Sequence, residues 1–245
     1  MIGTLLMLLF LVPSPGTPPV REGDAEFVRM DYPRAKSLYE SALASAKDSA
    51  AVLWRLSRLY VCTGDVAKGT EREECYRVAV DYARRCVRAD STLAQGHTWL
   101  AASLGNVAMY EGSKAKIRLS HEIKMELDRA VALDSTDDIA YSVMGSFYLA
   151  LGDISWIERQ LATIFLGSLP AGGYEEAEVA LRRAVALAPG MIRHQYELGM
   201  VYIAEKREKE AREAFSVVTR LPTSMASDIR RKVRAQEWLE KLSTD

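Results

Sequence analysis

Residues that most often announce chemistry are scarce in this chain. It has three cysteines, Cys62, Cys75 and Cys86, an odd number without the spacing of metal ligands. Its three histidines, His97, His121 and His194, lie far apart, and no helix carries the paired-histidine signature of a zinc hydrolase. No glycine-rich phosphate loop, dinucleotide fingerprint or nucleophile elbow is present. No metal site, cofactor or catalytic residue is therefore expected, and the chain reads as a non-enzyme. Charge of one sign is also lacking: 32 basic residues face 33 acidic ones, a net charge of -1, so global electrostatics give no reason to expect nucleic acid. Glycine (15) and proline (8) are few in 245 residues and mostly fall outside the apolar-periodic stretches, which points to a largely helical protein.

One apolar run, uninterrupted apart from Gly3 and Thr4, extends from Ile2 to Val12, and Pro13 to Pro19 after it would break a helix. The run is shorter than the roughly 20 residues a membrane span needs and suits the core of a secretory signal. It lacks a preceding basic residue and a clean cleavage site. Residues 1–22 are thus expected to be a signal-like segment and linker, and 23–245 the folded domain. Export or N-terminal anchoring follows from that reading, with a cytoplasmic chain as the alternative. Cys86 stands where other repeats carry small apolar residues and is read as core; pairing of Cys62 with Cys75 or Cys86 stays open for an exported chain.

What the chain does have is a repeated spacing. Ala42, Cys86, Ala130 and Ala184 are each followed 14 residues later by an apolar residue: Leu56, Leu100, Met144 and Leu198. The next residue is small every time (Ser57, Ala101, Gly145, Gly199), and three further on stands Tyr60, Leu104, Tyr148 or Tyr202. A second helix contributes Ala35, Ala79, Ile123, Ala177 and Ala211, and four residues later Tyr39, Ala83, Leu127, Leu181 and Phe215. Small residues belong where two helices touch closely and large apolar ones fill the wedge between them. Leu198-Gly199, Tyr202, Ala211 and Phe215 carry the tetratricopeptide pattern in a unit of about 34 residues. The fold expected is all-α: a right-handed tetratricopeptide superhelix, or α-solenoid, of four to five helix pairs. The charged helix from about Met225 to Leu242 would cap it. Its basic cluster, Arg230, Arg231, Lys232 and Arg234, reads first as a solvated face, with anionic lipid or a partner as the alternative.

Three connections within pairs exceed the standard length, by 10, 10 and 20 residues. The first two either lengthen both helices or form loops on a binding face. The third holds Trp156, Ile157, Leu161 and Phe165 on an apolar stripe, which would either fold over the groove or complete a core. The first helices of the pairs should line the concave side. Candidate lining residues are Trp54, Arg58, Thr98, Ser142, Ser146, Leu149, Arg193, Tyr196, Met200 and Ile203. This set is mostly small or apolar with single cations at Arg58 and Arg193, which suits an apolar or amphipathic ligand with one anionic end.

LWRLSRLY (53–60), the long helix around 79–85, HEIKMELDRAVALDS (121–135) and the whole of 145–190 resemble the regulator of microtubule dynamics family over about residues 24–242. The resemblance implies a non-enzymatic helical domain, often anchored at its N-terminus, with roles in microtubule association, organelle contact and phospholipid binding. The function expected is a binding module for a lipid, an apolar small molecule or a peptide, with peripheral membrane association left open. The alternative is a protein–protein scaffold or assembly factor, microtubule-associated if cytoplasmic.

Overall fold

A computed structural model describes residues 18–46, 49–155, 159–160 and 168–243. The apolar run at 2–12 and the four insertion residues Trp156, Ile157, Leu161 and Phe165 lie outside the described residues. Eleven helices and no strand occur among those described: α1 (Pro18–Val28), α2 (Tyr32–Ser45), α3 (Ala50–Val66), α4 (Gly69–Ala89), α5 (Ala94–Glu111), α6 (Ser113–Leu133), α7 (Asp138–Gly152), α8 (Tyr174–Leu187), α9 (Ile192–Ala204), α10 (Glu208–Arg220) and α11 (Asp228–Lys241). They pack as five successive pairs, α1–α2 to α9–α10, each laid on the one before, with α11 covering the last. The first helix, Pro18–Val28, carries its prolines in the first turn, where a missing N–H costs nothing.

The pairing follows from the small-plus-large pattern. Ala35, Tyr39, Ala79, Ala83, Leu127, Ala177, Leu181, Ala211 and Phe215 are fully shielded from solvent. Each large side chain among them contributes roughly 2 kcal/mol by leaving water. The opposing glycines let these side chains approach: a methyl group added at Gly145 would stand 2.3 Å from Leu181, and one at Gly199 would stand 2.6 Å from Phe215. Three glycine–aspartate pairs extend the device. The Tyr39 ring lies over Gly23 while its hydroxyl donates to Asp24 at 2.7 Å. Tyr76 does the same with Gly64 and Asp65 at 3.0 Å, and Tyr174 with Gly152 and Asp153 at 2.9 Å.

The two 10-residue insertions lengthen helices. In the second and third pairs the helices run 17, 21, 18 and 21 residues, against 13 and 13 in the fifth. Boundaries are set by local chemistry: Asp31 accepts the Arg34 N–H ahead of α2, Asp137 accepts the Ala140 N–H ahead of α7, and Gly112 turns the chain between α5 and α6 at φ +92°. Ser49 occupies the cap position of α3 without a side-chain bond. All three cysteines are free and buried, on α3 and α4.

The ends of the array meet. Met225 and Ala226 pack on the core of the first two pairs, beside Phe27, Tyr32 and Tyr39. The Ala226 N–H donates to the Tyr32 hydroxyl at 3.3 Å, and Arg231 on α11 stands 3.9 Å from Asp65 on α3. The segment is shaped by the buried Asp228, whose carboxylate accepts the N–H groups of Ser224 and Met225, both at 2.9 Å.

Candidate functional site

Among the described residues, two hollows are lined by helices of successive pairs. The smaller, about 100 Å³, lies between α5, α6 and α7 and is walled by apolar side chains including Ala102, Val143, Phe147 and Leu151, with Ser146 and Arg193 at its edge. The larger, about 450 Å³, lies at the N-terminal ends of α3, α5, α7 and α9. Phe27, Trp54, Trp99 and Met225 form one part of its wall; Asp134, Asp137 and Asp138 form another.

The ten lining residues expected from the sequence divide among these places. Trp54 and Arg58 line the larger hollow; Ser146 and Arg193 line the smaller. Thr98 is buried and donates to Asp137 at 2.6 Å. Ser142 is buried with no partner for its hydroxyl. Tyr196 is buried against Phe215, ring centres 5.8 Å apart, and Leu149, Met200 and Ile203 pack on the C-terminal core. None of these six lines either of the two hollows.

The two cations expected from the sequence differ in their surroundings. Arg58 stacks on Phe27, 3.8 Å from the ring centre, and donates to Asp24 and to the Tyr39 hydroxyl, both at 3.2 Å. Burial pushes the Asp24 carboxyl up, but bonds from Arg55 and Tyr39 and the charges of Arg55 and Arg58 outweigh it and hold the group below the ordinary carboxylate range. Arg193 forms no ion pair among the described residues, and its buried Nε donates to nothing. Arg58, Arg193 and Arg231 all lie close enough to the buried Cys62 to oppose the upward push of burial on its thiol.

Sequence reading missed Phe27, Met225 and the three aspartates of the larger hollow. The aspartates sit in a turn and announce themselves only as cap residues, while Phe27 and Met225 come together through the closure of the ends. His97 is buried, with Nδ1 2.5 Å from Glu126 and Nε2 3.1 Å from the Ser91 carbonyl. His194 is buried with Nε2 2.7 Å from Asp138. Among the described residues no three acidic, histidine or cysteine side chains gather to hold a metal ion, and no helix is long and apolar enough to cross a membrane.

The family model for regulator of microtubule dynamics protein 1-3 matches residues 20–243. The chain belongs to this family. Regulator of microtubule dynamics protein 1 of Bos taurus is 29% identical over 191 residues, covering 73% of this chain and 60% of the relative. The human protein 2 is 25% identical over 200 residues, covering 81% and 48%. The chain thus spans about half the length of the mammalian relatives it matches, whereas it covers 84% of a Caenorhabditis elegans member at 24% identity. Among solved structures, a thermophilic tetratricopeptide-repeat protein of Thermus thermophilus superposes with a TM-score of 0.65 at 18% identity, over 91% of this chain and 97% of that one. The likeness bears out the helical-repeat fold.

Proposed function

We propose that the protein is a non-enzymatic binding module that takes an apolar or amphipathic ligand with one anionic end, its apolar part against α5, α6 and α7 and its anion on Arg193. The observation that carries this reading is the position of Arg193: a half-buried cation beside an apolar hollow with no carboxylate to match it among the described residues. A guanidinium so placed gains most from an incoming carboxylate or phosphate, which would form charge-assisted hydrogen bonds where water is largely excluded. Ser146 at the same edge supplies a further hydroxyl.

Native mass spectrometry of the purified chain incubated with oleate, and separately with an anionic phospholipid, tests it. A one-to-one adduct that falls about tenfold in Arg193→Gln is expected. Absence of an adduct, or an equal adduct in the variant, refutes the reading. Co-flotation with vesicles of the same phospholipid separates a free amphiphile from a leaflet-bound one. Family membership favours a second reading, a scaffold on microtubules; co-sedimentation of the chain with polymerised tubulin tests it, and protein left wholly in the supernatant rejects it.

A further inference from the structure

The larger hollow has a character opposite to the smaller one. Its volume, about 450 Å³, falls within the range of ligand sites and is enough for a side chain with its flanking backbone. Asp134, Asp137 and Asp138 contribute three carboxylates, and among the described residues neither Asp134 nor Asp137 forms an ion pair. Asp134 accepts only from Thr136, Asp137 from Thr98 and the Ala140 N–H, and Asp138 faces His194. The one cation on the wall, Arg58, is already held by Asp24 and Tyr39. Burial pushes the Asp137 carboxyl above the ordinary carboxylate range; its hydrogen bonds counter this, and the charges of Asp138 and Asp134 add to it. A cation entering the hollow would relieve that repulsion.

The carboxylates do not gather closely enough to hold a metal ion, and the rest of the wall is aromatic and thioether: Trp54, Trp99, Phe27 and Met225. Such a wall favours an organic cation, whose charge attracts ring faces and whose alkyl stem lies against apolar surface; Trp54 already carries Arg55 and Arg58, 4.3 and 5.0 Å from its ring centre, while Trp99 carries no cation among the described residues. Arg58 on Phe27 is an internal example of the same contact. We propose that this hollow is a binding site for a basic side chain, a lysine or arginine in an extended segment of a partner protein. The site is distinct from the one around Arg193 and does not depend on it.

Three fluorescein-labelled alanine-rich heptapeptides that differ only in a central Arg, Gln or Glu test the assignment by fluorescence polarisation on the full chain. The Arg peptide is expected to bind about tenfold more tightly than the Gln peptide, with the Glu peptide weakest and the preference fading as salt rises. Combining Trp54→Leu with Asp138→Asn should reduce the Arg peptide to the Gln level, while Arg193→Gln leaves it unchanged. Circular dichroism checks that the variants fold; if Trp54→Leu does not, Asp134→Asn in the turn takes its place with the same expectation. Equal binding of the three peptides, no binding by any, or a preference that survives these substitutions overturns the proposal. Oleate binding that depends on Arg193 is read separately, so the two assignments fail independently.

Discussion

His97 and Glu126 meet at 2.5 Å with both side chains buried, one on α5 and the other on α6. The Ser91 carbonyl can only accept, so Nε2 of His97 carries a hydrogen and donates it. The contact between Nδ1 and Glu126 fastens the two helices of the third unit. A leucine at position 126 would leave Nδ1 buried without a partner, whereas glutamine can still donate to it. Glu126→Leu is expected to lower stability by about 1–3 kcal/mol and Glu126→Gln by clearly less. Urea unfolding of the two variants decides; equal losses would show that packing, not the hydrogen bond, governs the site.

Gly145→Ala should be costly although alanine is the better helix former. The new methyl would sit 2.3 Å from Cγ of Leu181, a fully buried side chain, so α7 and α8 must separate. A loss of about 1–3 kcal/mol is expected, against a gain of up to about 1 kcal/mol from helix propensity. Gly105→Ala, where nothing stands within 4 Å, supplies the control and should be neutral or stabilising. Thermal unfolding of both variants separates close approach from propensity.

Asp24 joins Tyr39, Arg55 and Arg58, and its folded-state carboxyl titrates below the ordinary aspartate value of about 3.9. The stabilisation it provides is complete above that value and is lost as pH falls through the lower folded one. Asp24→Asn should therefore cost on the order of 1 kcal/mol at pH 7, allowing for the partial exposure of the cluster. The gap between variant and wild type should narrow as pH falls below about 4. Melting curves across pH 7 to 3 test this; a constant gap would assign the loss to shape.

The thiols should be inert in the native state. Burial pushes Cys62 up to about 12, with Asp65 adding to it, and burial likewise raises Cys86 to about 11. Little thiolate exists at pH 8 at either, and all three cysteines are buried. Labelling with iodoacetamide at pH 8 should leave all three unmodified without denaturant and modify all three in 6 M guanidinium. Native labelling at Cys62 would contradict the packing of α3 against the C-terminal segment.

The parts of the fold legible in the sequence are those fixed by contacts a few tens of residues apart. The 14-residue step from Ala130 to Met144, or from Ala184 to Leu198, sets one helix pair on the next, so the succession of pairs can be counted in the letters alone. The extra residues after Leu56 and Leu100 prove to be helix, one of the two readings that the spacing left open. The lining of the cavities was half legible, because it depends on both neighbouring pairs and distant ends. Trp54 and Arg58 follow from register; Phe27 and Met225 reach the same hollow only because residues 194 positions apart touch at Tyr32 and Ala226. Asp137 looks like a cap and is one, and no local pattern indicates that its carboxylate also faces a cavity.

Linear repeat arrays ordinarily lose structure piecemeal, since each unit leans only on its neighbours and the outermost ones fray first. Here Tyr32 of the first unit and Asp65 of the second are fastened to Ala226 and Arg231 beyond the fifth, so the two described ends of the array are held together. Melting thereby becomes a property of the whole circuit: damage at one terminus is felt at the other, and a partner that pries the seam apart would loosen both together.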